Sequence, residues 1–466
     1  MSPKQQFEQL LESTLRRQIP DFEALLDCRQ LTAGASQETY RITYRDAKGE
    51  TTLALRRAQP TSGSESSVGG ISLASEARLF NLAKHYGIPS PTVVYELQAE
   101  DGLGAGFIMN WLEGETLGHR INRNSEFEDI RPQLAHRCGE ILGRIHAIDW
   151  RKEKLDQFLT ITDTKTLIQE VWDTYQNLNI PLPMVDYTAR WLLENLPNQQ
   201  RTTLVHSDFR NGNLMVNPQG IEAVLDWELA HIGDPIQDLG WLCVNSWRFG
   251  NRELTVGGFG HLDDLLAGYE KETGIAITAQ EVLFWQVYGS FWWSVGTLSM
   301  AQTWRTGETP SLERPVIGRR SSEAQMDCVN LLIPGEFTLP EASAELDHGT
   351  QLPMPAELLA SVATFLKSSA TDNMLPHDQF LAKVAANSLS IAQREFQYAP
   401  KLEQEEKQRL VALTGLNADL DTLRWRLVEM LRDGVALNTQ GLSEHLRTTV
   451  AGRLFIDQPK YSALQA

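Results

Sequence analysis

The first 112 residues combine helical and strand-like patterns of hydrophobic and polar positions. Apolar side chains recur at helical spacing over residues 5–17, which predicts an amphipathic helix. Residues 39–44 and 51–55 are rich in β-branched and aromatic side chains on either side of a turn, which predicts a β-hairpin. A helix is predicted over residues 72–86 and a short buried strand over residues 107–109. This part of the chain is therefore predicted to contain a small sheet.

From about residue 113 the pattern becomes mainly helical. Helices are predicted over residues 134–148 and 185–196, and short apolar segments at 203–205 and 221–225 flank a polar loop. Residues 282–304 contain no charged side chain and are long enough to span a membrane. Their glutamines and serines, and the lack of a similar neighbouring segment, favour a helix buried inside a large core.

The C-terminal quarter of the chain is predicted to be a separate helical region. Residues 336–355 are rich in proline, acidic and small residues, which is typical of a linker. About five helices are predicted beyond it. Apolar side chains follow the i, i+3, i+4, i+7 spacing most clearly over residues 358–366 and 420–431.

Charge and cysteine content narrow the possible functions. The chain has 42 basic and 60 acidic residues, a net charge of −18, which argues against nucleic-acid binding because that binding needs basic side chains. Most of the excess acidity lies in residues 1–349, which carry 30 basic and 47 acidic residues. Four widely spaced cysteines predict neither a zinc site nor disulfides. With no apolar run in the first 20 residues, we expect a cytoplasmic protein that does not enter a membrane.

The polar loop between the short apolar segments carries the residues most suited to chemistry. It contains His206 and Asp208, with Asn213 five positions after the aspartate, and Asp226 follows at the end of the second apolar segment. Mg²⁺ prefers oxygen ligands and takes few of them from a protein, so Asn213 and Asp226 would suffice. Asp208 would then be free to orient an attacking hydroxyl. The spacing predicts a phosphoryl-transfer site.

These motifs resemble the catalytic loop of the aminoglycoside phosphotransferase family, a branch of the protein-kinase-like fold. The family pattern is H-G-D-x-x-x-x-N, then a metal-binding aspartate, then G-D-P-x-x-D-L. The resemblance implies that Asp208 is the catalytic base and that Asn213 and Asp226 bind Mg²⁺. It also implies that His206 and Asp238 support the loop.

The resemblance extends upstream, with some departures. The turn that includes Gly34, Ser36 and Thr39 resembles the family's turn over the ATP phosphates, where small residues let backbone N–H groups approach. Family members often have two consecutive glycines here, but this chain has Ala35 after Gly34. In the catalytic loop, Ser207 stands where the family usually has glycine, which adds a hydroxyl and removes no functional group.

The predicted hairpin and hinge imply further nucleotide contacts. Arg56 occupies the position at which protein kinases have a phosphate-binding lysine, and a guanidinium keeps both the charge and the ability to bind phosphate. Glu76 resembles the acidic partner that orients this base, although a solvated helix charge remains an alternative. The backbone groups of Asn110 and Leu112 are expected to pair with adenine.

The resemblance implies an α+β, bilobal protein-kinase-like fold followed by an all-α C-terminal domain. That domain is similar to a small bacterial helical domain of unassigned function. The expected divisions are an N-terminal helix (1–30), a nucleotide-binding N-lobe (31–112), a catalytic C-lobe (113–335), a linker (336–355) and a helical domain (356–466). The helical domain is a candidate for homo-oligomerisation.

The substrate is open at this stage. Leu55-Arg56-Arg57 and Asp208-Phe209-Arg210 resemble the kinase-like domains fused to some acyl-CoA dehydrogenases, whose relatives phosphorylate 4-hydroxyacyl-CoA. An ATP- and Mg²⁺-dependent hydroxyacyl-CoA kinase is therefore expected. Arg210 would face an anionic substrate, or would pair with a nearby carboxylate. The alternatives are a kinase for aminoglycosides or other cations, which the acidic lobes would attract, and a nucleotide-binding pseudokinase scaffold.

Overall fold

The chain is described from a computed structural model. The structure describes residues 2–31, 37–58, 70–198, 201–308, 311–340, 354–368 and 374–464.

The N-terminal lobe is built on a five-stranded antiparallel sheet with the strand order β1-β2-β3-β5-β4. Helix α1 (Pro3–Gln18) covers one face of the sheet and helix α2 (Leu73–His85) lies against the other. The strands are β1 (Phe22–Gln30), β2 (Gln37–Asp46), β3 (Gly49–Ala58), β4 (Val93–Glu96) and β5 (Gly106–Asn110).

Strand alternation separates a mainly apolar face of this sheet from the face that carries Arg56. Ile42 and Leu55 point towards Leu11 and Leu15 of α1, and all four side chains are buried. Because successive side chains alternate, Arg56 points to the opposite face, where α2 packs. The register that buries Leu55 under α1 therefore also places Arg56 towards the second lobe.

One sequence assignment needs correction at the N-terminus. The N-terminal helix was expected to occupy residues 1–30, but the helix ends at Gln18 and residues 22–30 form the edge strand β1. The strand was missed because only Phe22 in it is fully buried. An edge strand with solvated charged side chains lacks the alternation on which strand prediction depends.

The second lobe is mainly helical, with two small antiparallel strand pairs, β6 with β9 and β7 with β8. These pairs frame the polar loop found in the sequence. The strands are β6 (Thr203–Val205), β7 (Leu214–Asn217), β8 (Gly220–Val224) and β9 (His231–Gly233). The helices are α3 (Gly118–Arg123), α4 (Arg131–His146), α5 (Thr164–Asn177), α6 (Pro183–Glu194), α7 (Ile236–Leu242), α8 (Leu262–Thr273), α9 (Ala279–Arg305), α10 (Glu313–Arg319) and α11 (Ser321–Leu332).

The uncharged segment at 282–304 belongs to helix α9. Its first half is buried among α6, α7 and α11, including the large side chains Trp285 and Phe291. Nowhere in the described ranges does a helix combine the length and apolarity that crossing a bilayer requires.

The C-terminal region shares a hydrophobic core with the second lobe. Its helices in the described part of the chain are α12 (Pro355–Lys367), α13 (Pro376–Thr414), α14 (Leu420–Arg432) and α15 (Leu442–Asp457). Met326 and Val329 of α11 pack with Leu427 of α14 and Leu454 of α15, and all four are buried. Most of the expected linker at 336–355 lies outside the described residues.

Polar contacts reinforce this joint. Asp186 of α6 has a fully buried side chain and pairs with Arg432 of α14 at 2.8 Å. Arg190 donates to the carbonyl of Leu431 at 3.1 Å. Because breaking a buried ion pair or a shared core is costly, the two regions should unfold together.

A core substitution tests this shared core. Leu454→Ala removes a fully buried side chain and should destabilise the protein by about 2–5 kcal/mol, the usual cost of such a cavity. We expect calorimetry to show one cooperative transition at a lower temperature. Leu358→Ala in α12 is the matched control, because Leu358 is 54% exposed and its loss should leave the transition nearly unchanged. Two separate transitions, with only one moved by Leu454→Ala, would contradict a shared core.

Candidate active site

The catalytic loop leaves strand β6 and is held in place by a single buried carboxylate. Asp238, in the first turn of α7, accepts the backbone N–H of His206 at 2.9 Å and that of Ser207 at 2.8 Å. The imidazole of His146 contacts the same carboxylate at 3.1 Å. Burial opposes ionisation of Asp238, but these donors and the neighbouring histidines keep its pKa below the usual value. The backbone of the loop is thus fixed before any ligand binds.

His206 connects the catalytic loop to the loop that carries Asp226. Its Nε2 lies 3.1 Å from the carbonyl of Leu225, and its Nδ1 accepts the backbone N–H of Asp208 at 3.2 Å. Burial lowers the pKa of His206, which keeps the ring neutral. A neutral ring can donate through Nε2 and accept through Nδ1, as these two contacts require. His206 therefore supports the loop and is not positioned as a base.

Two residues of the site adopt left-handed backbone conformations. Ser207 has φ of 69° and Asp226 has φ of 66°. This conformation explains the glycine that the resembling family usually has at the Ser207 position, since glycine adopts it freely and other residues lose about 1–2 kcal/mol. The Ser207 hydroxyl accepts a hydrogen bond from Gln237 at 2.8 Å, which helps to offset that loss.

Asp208 lies at the centre of the site with both carboxylate oxygens engaged. Its Oδ1 accepts Arg210 Nε and Trp241 Nε1, each at 2.9 Å, and its Oδ2 accepts the amide of Asn213. Burial and the neighbouring Asp226 raise the pKa of Asp208, while Arg210 opposes the rise. A carboxylate with a raised pKa that is held by three donors is suited to orient a hydroxyl and accept its proton.

Asn213 and Asp226 face the same region and suit a magnesium ion. The Nδ2 of Asn213 donates both to the carboxylate and, at 3.0 Å, to the main-chain carbonyl of Asp208, so Oδ1 is the atom that would coordinate a cation. The carbonyl of Asn213 accepts the N–H of Leu225 at 2.9 Å, which places Asp226 beside it.

Arg56 joins the two lobes at this site. Its Nε pairs with Glu76 at 3.0 Å and its Nη2 with Asp226 at 2.6 Å. Burial lowers the pKa of Arg56, but the charges of Glu76 and Asp226 raise it by a larger amount. The pKa of Arg56 therefore lies above its usual value, and the guanidinium stays charged. Thr39 lies directly opposite Arg56 in the sheet. Burial raises the pKa of Glu76 to about 7, although Arg56 acts against the rise.

The structure describes only some of the other residues that were predicted to contact the nucleotide. Gly34 and Ser36 lie outside the described residues. The N–H of Asn110 donates to the carbonyl of Thr92 at 3.0 Å, so this donor is already used by the sheet. Leu112 follows β5 directly, between the two lobes.

Glu228 is a site residue to which the sequence analysis gave no role. Its carboxylate lies 3.5 Å from the Gln37 amide. Burial and the charge of Asp226 raise the pKa of Glu228 to about 7, with Arg56 opposing. Its position two residues after Asp226 was the available signal, because residues close in sequence to a metal-binding candidate often share its site.

Four tryptophans form a continuous cluster beside the catalytic base, which we call the tryptophan wall: Trp241, Trp247, Trp292 and Trp293. Trp241, which bonds Asp208, lies 5.4 Å from the Trp247 ring and 5.3 Å from the Trp292 ring. Trp293 lies 5.2 Å from Trp247. Trp241 follows Asp238 by three residues on α7, and this helical spacing was a usable signal. The other three converge only in the folded chain.

Arg210 lies between Asp208 and this wall. Its guanidinium is 4.7 Å from the centre of the Trp247 ring, while its Nε pairs with Asp208. The pairing matches one of the two alternatives that the sequence left open for Arg210. The side chain remains 25% exposed, so it is also accessible to a ligand.

Known proteins resemble both regions of the chain. A model of the phosphotransferase enzyme family matches residues 27–274. A second family model, described as a domain of unknown function, matches residues 372–461. Mouse acyl-CoA dehydrogenase family member 10 is 30% identical over 228 residues, which are 47% of this chain and 20% of that protein. Human acyl-CoA dehydrogenase family member 11 is 28% identical over 261 residues, which are 51% of this chain and 31% of that protein.

The match to solved structures confirms the predicted bilobal fold. The structure of a candidate aminoglycoside phosphotransferase from Ralstonia eutropha superposes with a TM-score of 0.56 at 21% identity, covering 69% of this chain and 97% of that one. This chain spans only about a fifth to a third of the length of the curated relatives, whose names refer to larger proteins. The family model covers more than half of the chain and includes the catalytic loop, Asp226 and Asp238. The chain is a phosphotransferase with a kinase-like fold and belongs to the phosphotransferase enzyme family.

Proposed function

We propose that this chain is an ATP- and Mg²⁺-dependent kinase that phosphorylates a hydroxyl group of a hydroxyacyl-CoA. The observation that carries the kinase chemistry is the continuous set of contacts from Asp208 through Asn213 to Asp226, and from Asp226 through Arg56 to Glu76. It brings a base, a pair of metal ligands and a phosphate-binding cation from two lobes into one site.

Each residue has a defined part in the proposed reaction. Asp208 orients the acceptor hydroxyl and takes its proton as the oxygen attacks the terminal phosphorus of ATP, while the bond from that phosphorus to the bridging oxygen breaks and ADP leaves. Arg56, held by Glu76, binds the nucleotide phosphates through its charged guanidinium. Asn213 and Asp226 hold the cation. Bound Mg²⁺ supplies positive charge to the phosphate oxygens during transfer.

The charge of the site supports cation binding. The site contains four carboxylates, those of Asp208, Asp226, Glu228 and Glu76. It contains two positive charges, the guanidiniums of Arg56 and Arg210. When all are ionised, the site has a formal excess of negative charge. A divalent cation relieves that excess, whereas a nucleotide without Mg²⁺ would be repelled by it.

The acceptor side supports a substrate with apolar and anionic parts. Trp241 and Trp247 are buried beside Asp208 and Arg210, and the partly exposed Trp292 and Trp293 that contact them offer apolar surface to an acyl chain. The guanidinium of Arg210 could pair with a phosphate of CoA. Two curated relatives carry acyl-CoA dehydrogenase names, and this chain matches a part of each.

A cationic acceptor is the second candidate. Its support is the net charge of −18, because acidic surfaces steer cations, and the candidate aminoglycoside phosphotransferase with the same fold. The tryptophan wall and Arg210 favour the first candidate, since aminoglycosides are polar and positively charged. A pseudokinase scaffold is less well supported, because Asp208, Asn213 and Asp226 are all in place. Homo-oligomerisation through the C-terminal helices stays a prediction.

A substrate panel distinguishes the two acceptors. With ATP and Mg²⁺, we expect ADP release in the presence of 4-hydroxyacyl-CoA thioesters of medium chain length, and little release with aminoglycosides. A coupled ADP assay and phosphorus NMR of the product would measure turnover and identify the phosphorylated hydroxyl. Turnover with aminoglycosides alone would overturn the acyl-CoA proposal and leave the kinase proposal intact.

Asp208→Asn tests the catalytic base. The amide cannot accept the hydroxyl proton, so we expect kcat to fall on the order of a hundredfold or more while ATP still binds. Steady-state kinetics and calorimetric titration with ATP measure the two effects. Asp264→Asn is the matched control, because Asp264 lies exposed on α8 and its replacement should change neither quantity. Wild-type turnover in Asp208→Asn would show that the base is misassigned.

The raised pKa of Glu228 predicts a pH-dependent affinity for Mg²⁺-ATP. Protonated Glu228 adds no charge, so affinity should rise as the pH passes upward through about 7 and the carboxylate ionises beside Asp226. For the stability of the protein without ligand, the pH dependence has the opposite sign. The raised pKa stabilises the fold below about pH 4.5, and this contribution is lost as the pH rises towards 7.

Glu228→Gln should flatten the pH dependence of Mg²⁺-ATP affinity without removing it, since Glu76 also has a pKa of about 7. Titration calorimetry from pH 6 to pH 8 would measure the slope and the protons released. Glu270→Gln, at an exposed position on α8, serves as the control. An unchanged slope in Glu228→Gln would rule out Glu228 as the titrating group.

A further inference from the structure

The last residues of the C-terminal region contact the catalytic lobe directly behind the tryptophan wall. Tyr461 donates its hydroxyl to Asp327 Oδ2 at 2.8 Å, and Asn245 donates its amide to Asp327 Oδ1 at 2.8 Å. Asn245 also donates to the hydroxyl of Ser462 at 3.2 Å. The side chain of Asp327, on α11, is thus shared between the C-terminal segment and a residue of the catalytic lobe.

Asn245 begins a short 3-10 turn, Asn245–Trp247, which places the buried ring of Trp247 against Arg210. The hydroxyl of Ser246, in the same turn, lies 3.5 Å from the Tyr461 hydroxyl. The backbone N–H of Trp247 closes the turn by donating to the carbonyl of Val244 at 3.1 Å. Tyr461 and Ser462 thus contact the turn that carries Trp247.

From Trp247 the contacts continue to the catalytic base. The guanidinium of Arg210 stacks 4.7 Å from the Trp247 ring, and its Nε donates to Asp208 at 2.9 Å. Four contacts therefore link the C-terminal Tyr461 to Asp208 by way of Asp327, the Asn245–Trp247 turn and Arg210. This route enters the site through Arg210 and does not include Arg56, on the nucleotide side.

The shared carboxylate is sensitive to loss of either partner. Asp327 is only 5% exposed, and burial raises its pKa to about 7. A buried acceptor that loses a donor bears the full cost of desolvation, so the surrounding turn should shift to recover a partner. Removing the Tyr461 hydroxyl is therefore expected to displace Asn245 and, with it, Trp247.

We propose that the C-terminal helical region is a positioning element of the kinase, which fixes the acceptor side of the active site through Tyr461, Ser462 and the Asn245–Trp247 turn. This assigns a role to the region that matches a domain of unknown function. The term acceptor side rests on the proposed function, but the effect on Trp247 does not. Tyr461 and Ser462 are positioning residues, and neither touches Asp208.

The first test is kinetic and uses the full-length chain. Tyr461→Phe should raise the KM for a 4-hydroxyacyl-CoA by about three- to tenfold, the range expected for a lost hydrogen bond, and leave the KM for ATP unchanged. Ser462→Ala should act in the same direction. Tyr398→Phe is the matched control, because its ring packs on Phe455 in the C-terminal region at 5.1 Å, away from the turn. Equal increases in both KM values would indicate general destabilisation and overturn the proposal.

The second test needs no substrate. Fluorine NMR of protein labelled with 5-fluorotryptophan, with Trp247→Phe used for assignment, reports the environment of Trp247. We expect Tyr461→Phe to shift or broaden the Trp247 resonance, and Tyr398→Phe to leave it unchanged. An unmoved resonance in Tyr461→Phe overturns the proposal for any acceptor. If the resonance moves but wild type turns over no acyl-CoA, the positioning role stands and the proposed substrate is wrong.

A double-mutant cycle shows whether the two sites act through one path. Because Tyr461 and Trp247 are proposed to share the same turn, Tyr461→Phe combined with Trp247→Phe should lower kcat/KM for the acceptor little more than Trp247→Phe alone. Effects that multiply would mean that the two residues act independently, which overturns the proposed path.

Discussion

The active site depends on the buried carboxylate of Asp238 more than on any residue that could touch a ligand. It accepts two consecutive backbone N–H groups at the start of the catalytic loop, and so fixes the direction in which Asp208 leaves strand β6. The same short helix, α7, carries Trp241, which bonds Asp208 directly. One helix therefore sets both the backbone of the loop and the orientation of its carboxylate. Such a preorganised base loses little entropy when a substrate arrives.

Whether a residue of this site could be predicted from the sequence depends on how far apart along the chain its contacts lie. Asp208, Asn213 and Asp226 could be found because short spacings on one loop and one strand end bring them together. Glu228 and Trp241 carried a local signal too, but one shared with ordinary exposed glutamates and core tryptophans. Their roles come from burial beside Asp226 and from a hydrogen bond to Asp208. Neither feature is a property of sequence spacing.

Longer-range features of the fold were harder to predict for a related reason. Apolar periodicity indicates which side of a helix is buried, but not what buries it. The stripe over residues 420–431 correctly predicted α14, yet the sequence favoured a separate domain after a linker. In the structure, Leu427 packs with Met326 of the catalytic lobe, and Asp186 forms an ion pair with Arg432. Contacts between helices more than 100 residues apart leave no mark on local periodicity.

Gathering four carboxylates in one partly buried site creates repulsion that the fold must offset. Arg56 and Arg210 do so at different carboxylates, one paired with Asp226 and the other with Asp208. The two guanidiniums also link the site to different parts of the chain. Arg56 forms an ion pair with Glu76 of the first lobe, whereas Arg210 packs on the ring of Trp247. The turn that carries Trp247 donates a hydrogen bond to Ser462 of the C-terminal segment. The proposed nucleotide and acceptor sides therefore have separate supports, and a change in one need not disturb the other.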